Sequence, residues 1–422
     1  MKRKREVKEG RRMEPITFIH AADLHIDSPF AGMQQLPVPI FERLKESTFA
    51  ALENLVQLAV REKVDFVLLA GDLFDGENRS LKAQLKLKKA FEQLEFHCIQ
   101  VYVIHGNHDH MSGKWLDLKW PENVHVFSDK KVECKTFLKN ESTAVHLYGY
   151  SYPQRAVHEN MTPNYFKQVK EGYHIGLLHG SVAGNHDHDV YSPFQISELL
   201  EKQFDYWALG HIHKQQILHE NEPPILYSGN IQGRNRKETG DKGCFVVSIS
   251  DAGASYQFKS LQDVKWDELE VEIKGEFQEW IDSLHQQLEL MRRENDPLVL
   301  TIRLSGTSEL YHTLQEENVL SDLMDQWNED EADRRNFVWI SSILNESVPA
   351  ISKDSLQLDS HFLSDLADII KSFENLDDTI QPLKQHAVFR KHIPSFNEDE
   401  KQQIVKEAEY LLFQELLKHR RL

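Results

Sequence analysis

Five apolar runs in the first part of the chain stop in the same manner, each handing over to a turn that holds a carboxylate, an amide or an imidazole. Val101-Tyr102-Val103-Ile104 runs into His105-Gly106-Asn107-His108-Asp109. Pro15-Ile16-Thr17-Phe18-Ile19 runs into His20-Ala21-Ala22-Asp23-Leu24-His25, and Val64-Asp65-Phe66-Val67-Leu68-Leu69-Ala70 into Gly71-Asp72-Leu73-Phe74-Asp75. His174-Ile175-Gly176-Leu177-Leu178 meets His179-Gly180, and Tyr206-Trp207-Ala208-Leu209 meets Gly210-His211-Ile212-His213. Short runs of this content predict strands, and open α/β sheets bind their ligands in the crevice at the carboxyl ends of strands. One such ending is ordinary. Five that carry metal-capable side chains are hard to explain by packing.

Between these runs the period changes to a helical one. Residues 38–61 place Phe41, Leu44, Phe49, Leu52, Leu55, Val56 and Ala59 close to a 3.6 spacing, and Leu81, Leu85, Phe91 and Leu94 mark a second helix. Lys82, Lys86, Lys88 and Lys89 fall on the polar side of that helix, where a solvated face is expected. Strand, helix, strand repetition predicts a layered α/β domain whose sheet is buried by helices. From Leu226 the texture becomes Gly-rich turns and short strands, through Tyr227-Ser228-Gly229-Asn230 to Cys244-Phe245-Val246-Val247-Ser248-Ile249, and a boundary is expected near 260–265.

Beyond it, strands at 269–273, 298–304 and 337–344 alternate with helices at 277–291 and 318–327, which predicts a small α+β domain over 266–350. Two further helices are expected at 361–373 and 398–419, the second introduced by Ser395-x-x-Glu398, a capping-box pattern. Its Ile404, Val405, Ala408, Leu411, Leu412 and Leu416 form an apolar stripe for the body of the protein or a partner, within a segment taken as 358–422.

At 422 residues the chain exceeds what one core usually serves. Cys98, Cys134 and Cys244 are too few and too scattered for a disulfide framework or a Cys-rich zinc site, so a cytoplasmic home is expected. No run approaches the roughly 18 apolar residues of a membrane span. Residues 1–12, with Lys2-Arg3-Lys4-Arg5, show no element pattern and are expected to be a disordered tail, a basic nucleic-acid-binding arm being the alternative. The net charge of −18 is unevenly placed: residues 1–260 hold 32 Lys/Arg and 33 Asp/Glu, whereas residues 261–422 hold 17 and 34. The first part is therefore nearly neutral, and global acidity does not exclude a phosphate substrate.

Carboxylate, amide oxygen and imidazole donors without thiolate suit divalent ions of intermediate hardness such as manganese, iron or zinc. The endings are numerous enough for two ions sharing a carboxylate. Such pairs, roughly 3.5 to 4 Å apart, clamp the attacking and leaving oxygens of an in-line displacement, and phosphoester hydrolysis is their natural use.

Asp23-x-His25, Gly71-Asp72, Gly106-Asn107-His108-Asp109, His179 and Gly210-His211-x-His213 stand in the order found in the calcineurin-like metallophosphoesterases, which the chain resembles over about residues 15–250. Gly71-Asp72-Leu73-Phe74-Asp75, Ser228-Gly229-Asn230-Ile231-Gln232-Gly233-Arg234 and Glu238-x-Gly240-x-Lys242-Gly243 narrow the likeness to SbcD-type DNA repair nuclease subunits and, within them, to a YhaO-like exonuclease branch. The resemblance implies an α/β fold, a four-layered β-sandwich flanked by helices over 13–260, with the α+β part as a capping domain and C-terminal helices for partner docking.

It also implies that Asp23, His25, Asp72 and His213 hold one metal, that Asp72 bridges to a second held by Asn107, His179 and His211, and that manganese is the expected ion. His108 is then the proton donor to the leaving oxygen, steadied by Asp109. The implied activity is DNA exonuclease or endonuclease cleavage in repair, with homodimerisation and an SbcC-like coiled-coil ATPase as partner. Arg234, Arg236 and Lys237 are candidates for contacting DNA. Position 75 is Asp where archaeal and eukaryotic relatives often carry a His that orients phosphate. A protein phosphatase would show an Arg after Asp75 where Gly76 stands; a small-molecule phosphodiesterase or a non-nucleolytic scaffold for an ATPase are the other classes weighed. Gly184-Asn185-His186-Asp187-His188 nearly repeats the segment 106–110, but it lacks a preceding strand and is expected to be a loop over the site. His20, His105 and His110 are expected to be supporting or structural.

Overall fold

The structure is a computed structural model. It describes residues 13–349 apart from 31, 34, 77–78, 114–115, 117, 142, 185–189 and 293–296, and beyond them 369–370, 373, 376–382, 401, 404–405, 408 and 412.

The apolar runs form strands that divide between two six-stranded sheets. The first has the order β12-β11-β1-β2-β3-β4, built from β1 Ile16–Ala21, β2 Phe66–Ala70, β3 Gln100–Ile104, β4 Val124–Val126, β11 Gly243–Ser250 and β12 Gly253–Ser260. The second has the order β5-β6-β7-β8-β10-β9, from β5 Glu133–Lys139, β6 Thr143–Gly149, β7 Tyr173–His179, β8 Tyr206–Gly210, β9 Gln216–His219 and β10 Ile225–Tyr227. β1 to β4 pair in parallel, as do β6, β7, β8 and β10, while β11, β12, β5 and β9 add antiparallel edges. Parallel pairing brings the carboxyl ends of β1, β2 and β3 to one edge of the first sheet and those of β7 and β8 to one edge of the second.

Successive side chains of a strand face opposite ways, and here both faces are buried. Phe18, Phe66, Leu68 and Ile104 from the first sheet pack with Leu147, Ile175, Leu177, Tyr206 and Ala208 from the second, which makes the central layer between them. Ile19, Ala21, Val67, Leu69, Val101 and Val103 turn the other way, onto helices α1 Val38–Glu62 and α2 Leu81–Phe96. On the far side of the second sheet, Tyr148, Leu178, Trp207, Leu209 and Tyr227 pack with Phe194 and with Leu199 of α3 Ile196–Glu201. The result is the four-layered α/β arrangement. Strands buried on both faces read as unbroken apolar runs rather than alternation, which is why the sequence showed them so clearly. His20 stitches the two sheets through the central layer, with Nδ1 2.9 Å from the Tyr206 hydroxyl and Nε2 3.0 Å from the Leu209 carbonyl.

α2 starts at Ser80, whose hydroxyl accepts from the Ala83 N–H at 3.0 Å and satisfies one of the unpaired first-turn donors. Its buried face is Ala83, Leu87, Ala90, Phe91 and Leu94, so Leu81 and Leu85, expected on that face, are exposed instead. The lysines keep the solvated role expected of them, Lys82 and Lys86 meeting Glu46 and Glu53 of α1. Exposed pairs of this kind contribute little to stability.

By itself, the later part of the chain holds β13 Lys265–Glu272, α4 Phe277–Met291, β14 Leu298–Ser305, β15 Thr307–Ser308, α5 Tyr311–Leu314, α6 Val319–Asn328, β16 Val338–Asn345 and β17 Val348–Pro349. The long strands form a three-stranded sheet, β13-β14-β16. α4 buries Trp280, Leu284 and Leu288, one stripe at a spacing of four. Two compact units result, the described residues of one lying within 13–268, 290–301 and 327–341 and those of the other within 269–289, 302–326 and from 342 onward. The expected tail over 1–12 and the expected helices at 361–373 and 398–419 lie outside the described residues save for isolated positions. Among the described residues no helix is long and apolar enough to cross a membrane, and the three cysteines are free.

Candidate metal centre

Three of the five strand endings leave their sheets through tight, strained turns. Asp23, His25, Asp72 and His211 all adopt left-handed backbone conformations, with φ of 51°, 41°, 53° and 99°. Side chains other than glycine avoid this region, and such strain persists where the surroundings over-determine it, commonly at functional sites. The turns hold one another. The Asp23 N–H donates to the Gly71 carbonyl at 3.0 Å, the His25 N–H to the Asp72 carbonyl at 3.1 Å, and the His211 N–H to both Asp23 carboxylate oxygens at 3.0 Å. Gly106 is required by close approach, since a Cβ there would strike Asp72 Oδ1 and lie 2.6 Å from His179 Nε2.

Side chains from both sheets therefore meet at one edge. Asp23, His25 and His213 bring ligand-capable atoms within 4.8 Å of one another, and so do Asp23, Asp72 and His179. Asp72 Oδ2 lies 3.4 Å from His179 Nε2 and 3.9 Å from His25 Nε2, so this carboxylate faces an imidazole of each group. Asn107 Oδ1 is 3.0 Å from His179 Nε2. His211 stands alongside, its ring centroid 5.3 Å from that of His179. Asp23, His25, Asp72, Asn107 and His179 are all buried, and His213 is half-buried.

The electrostatics follow from that burial. Loss of water pushes Asp23 up to about 6 against the pull of His179 and His213. Burial pushes His25 down to about 3, with Arg234 adding to the fall. For Asp72 burial acts upward, but the charge of His179 and the bond to it outweigh that and hold the carboxyl well below its usual range. His179 feels the converse. Burial opposes its charge, and Asp72 with Asp23 overcomes this and raises it to about 9. Each group thus favours the charged form of the other, and a divalent cation here would compete with a proton on His179.

His108 is half-buried beside this cluster. Its N–H donates to Asp72 Oδ1 at 2.9 Å, its Nδ1 lies 2.9 Å from the Asp75 carbonyl, and its ring is edge-on to that of His25, with centroids 4.9 Å apart. Asp109 was expected to steady His108. It instead accepts from the Gly106 and Leu73 N–H groups at 2.7 and 2.9 Å and meets His105 Nδ1 at 3.0 Å. A fully buried carboxylate takes the donors nearest to it, and here these belong to the two loops it clamps. His105 is thereby a supporting residue, and His110 meets Ser112.

The expected DNA contacts separate. Arg236 and Lys237 are exposed. Arg234 is not offered to solvent: its guanidinium is ion-paired with Asp75 and Glu238, and its side chain is 12% exposed. A cation between a buried and a half-buried carboxylate is consumed by them. In the second Gly-Asn-His-Asp-His copy, residues 185–188 lie outside the described residues. Sequence reasoning quoted Asp75 and Glu238 within motifs but gave neither a part. Glu238 Oε1 is 2.9 Å from His213 Nδ1, and Asp75 Oδ1 is 3.3 Å from His25 Nδ1. The available signal was a carboxylate closing one motif, Asp75, and one opening another, Glu238.

The donor set fits divalent cations. His25 Nε2 and His213 Nε2 face each other at 3.1 Å beside two buried carboxylates. Carboxylate and imidazole ligands in this number suit borderline first-row ions.

Comparison with known proteins gives a consistent picture. Residues 16–215 match the family profile of the calcineurin-like phosphoesterases, and residues 266–347 match that of the middle domain of the metallophosphoesterase YhaO. The chain is 42% identical over 405 residues, covering 95% of its own length and 98% of the relative, to a Bacillus subtilis (strain 168) protein described as an uncharacterized metallophosphoesterase YhaO. It is 24% identical over 298 residues to the DNA double-strand break repair protein Mre11 of Methanocaldococcus jannaschii, covering 67% of this chain and 75% of the other. A solved structure of a dimetal phosphatase from Danio rerio aligns at 14% identity and a TM-score of 0.36, over 58% of this chain and 96% of that one.

Proposed function

The chain belongs to the calcineurin-like metallophosphoesterases, a family that works with divalent metal ions, and on that premise we propose that it is a phosphodiesterase that cuts DNA, an SbcD-type nuclease of DNA repair. The observation that carries the reading is the convergence of Asp23, His25, Asp72, His179 and His213 into two adjoining cation-capable groups, with His108 beside them. Similarity to a double-strand break repair protein and the exposed Arg236 and Lys237 support DNA over a small phosphodiester.

When bound, two divalent cations, manganese by preference, would polarise the phosphoryl oxygens and lower the pKa of an attacking water. Asp23, His25, Asp72 and His213 would hold one, and Asp72, Asn107, His179 and His211 the other. His108 supplies the leaving group's proton. Its Nδ1 donates to the Asp75 carbonyl, so in the imidazolium form the Nε2–H is the one left for the departing oxygen. Asp109 acts at one remove, by fixing the loop that carries Asn107 and His108.

The test is cleavage of end-labelled duplex and hairpin DNA with manganese, wild type against His108→Ala. The variant is expected to keep its metal and lose roughly 100- to 10,000-fold in rate. Equal cutting by both proteins removes His108 as the acid. Hydrolysis of cyclic or aryl phosphodiesters by the wild type, with no cutting of DNA, favours a small-molecule substrate.

Residues 266–350 are read as a capping domain. The segment 358–422 is read as the docking site for an SbcC-like ATPase in a complex built on a homodimer. Deleting residues 395–422 is expected to abolish co-purification with the ATPase and to spare metal-dependent hydrolysis of a small phosphodiester. Normal binding by the truncated protein would refute that part.

A further inference from the structure

His25 and His213 come from different sheets, yet each turns Nδ1 away from the metal groups and toward a carboxylate. His213 Nδ1 meets Glu238 Oε1 at 2.9 Å, and His25 Nδ1 meets Asp75 Oδ1 at the longer distance of 3.3 Å. A carboxylate cannot donate, so the hydrogen-bonded His213 Nδ1 carries the proton and its Nε2 presents a lone pair; His25 Nδ1 stands at ion-pair distance from Asp75 without a formed hydrogen bond, a placement that favours the same tautomer. Those two Nε2 atoms are the ones 3.1 Å apart. Two lone pairs brought together in this way repel unless a cation stands before both.

Asp75 and Glu238 are themselves joined by one guanidinium. Arg234 Nη1 donates to Asp75 Oδ1, Nη2 donates to Glu238 Oε1 at 2.9 Å, and Nε donates to Glu238 Oε2 at 3.3 Å. The Arg234 main-chain N–H and Asn230 Nδ2 each add a bond to Glu238 Oε2 at 2.8 Å. Arg234 Nη2 also lies 3.1 Å from His213 Nδ1. Both groups bind the same carboxylate oxygen, and two protonated nitrogens cannot bond each other, so that distance is a shared-acceptor contact. Asp75 Oδ2 further accepts from the Ser28 hydroxyl at 3.3 Å. Burying Glu238 and half-burying Asp75 beside a metal site without a counter-charge would be costly. One planar fork reaching both lowers that cost and fixes their positions together.

We propose that Asp75, Arg234 and Glu238 form one positioning unit, in which two carboxylates joined by a buried guanidinium set the tautomer and aim of His25 and His213 toward a common cation. The proposal rests on the metallophosphoesterase reading of the site and assigns Arg234 to the protein's own scaffold rather than to DNA. The two ends differ in strength. The Glu238–His213 contact is shorter, while Asp75 Oδ1 is drawn toward Arg234 and holds His25 more loosely.

The experiment is calorimetric titration of metal-free full-length protein with manganese, repeated with cobalt to follow its visible absorption, for wild type, Glu238→Gln, Asp75→Asn, Arg234→Gln and Arg234→Lys. Partners that orient a ligating His are typically worth 10- to 100-fold in metal affinity. Glu238→Gln is expected to weaken one of two binding events by roughly that factor, and to change the cobalt spectrum, with the second event unaltered. Asp75→Asn should weaken the same event less. Arg234→Lys should fail to restore what Arg234→Gln loses, because an ammonium cannot reach both carboxylates as a planar fork does. Thermal melts accompany each titration, and the near-isosteric Asp75→Asn keeps the test open if Glu238→Gln does not fold. Wild-type affinity for both cations in Glu238→Gln and Asp75→Asn overturns the proposal, as does an Arg234→Gln protein that binds metal normally and shows only a raised KM for DNA. A wild-type protein that takes up no cation overturns the underlying reading of the site instead.

Discussion

The imidazoles around the site are held by two kinds of anchor. His179 and His108 rest their Nδ1 atoms on main-chain carbonyls, Ala70 at 2.9 Å and Asp75 at 2.9 Å. His25 and His213 rest theirs on the side chains of Asp75 and Glu238. The first kind is a consequence of where strand β2 ends and cannot be removed by substituting the anchor. The second depends on side chains of two loops, Asp75 after β2 and Glu238 within residues 228–242, so single substitutions can loosen it. One half of the centre is thus as rigid as the sandwich itself, and the other is adjustable.

Asp72 faces an imidazole of each kind, so Asp72→Asn should erase the distinction. It is expected to lose metal at both positions and on the order of 1,000-fold in kcat/KM on an aryl phosphodiester, about 4 kcal/mol of transition-state stabilisation. Metal content and steady-state rates on the same preparation check this; retention of one full-affinity cation would show that the two halves are independent.

Gly106→Ala strikes the rigid half and the carboxylate shared by both halves. The added methyl collides with Asp72 and His179 and leaves Glu238 and Arg234 untouched. Metal affinity is expected to fall by roughly 10- to 100-fold, with about 1–3 kcal/mol of stability lost to overpacking. If titration instead shows unchanged binding, the rigid half yields more readily than its anchors suggest.

His20 sharpens the comparison as an imidazole with both nitrogens engaged and none left for a ligand. Burial pushes it down to about 3, with the Leu209 carbonyl acting the other way. Folded, it stays neutral where the unfolded chain, at about 6.5, takes a proton. The unfolded state then binds more protons as pH falls from about 6.5 toward 3, so this group's contribution is full above 6.5 and is lost below it. Between pH 7.5 and 5 it accounts for about 2 kcal/mol. His20→Asn should flatten the pH dependence of chemical denaturation by that amount over the same window, and a profile as steep as wild type would contradict it.

The chemistry of the strand endings was legible because it needs particular side chains immediately after particular apolar runs, and both belong to one short stretch of chain. Asp23, Asp72, Asn107, His179 and His213 could be named on that basis and do meet at one edge. Helices α1 and α2 were legible from their period, although Leu81 and Leu85 were placed on the wrong face. A four-residue sample does not fix a helix's rotation, and the buried stripe runs through Ala83 and Ala90, residues with little hydrophobic signal. The resemblance gave Asp109 a direct part at His108, whereas a buried carboxylate takes whichever donors packing brings to it, here those of Gly106, Leu73 and His105. Arg234 was misread for the same reason, since a basic residue in a loop reads as free until its neighbours are known.

By itself, then, the sequence determined the strands, their order and the ligand types, since apolar runs long enough to be buried on both faces and donors at their ends are local properties of the chain. Only the tertiary structure decided how those strands divide between two sheets, which carboxylate stands behind which imidazole, and that Arg234 reaches Asp75 across 159 residues and ties it to Glu238. Those pairings depend on distances between segments far apart in the chain, and burial then selects among the donors and acceptors that packing brings within reach.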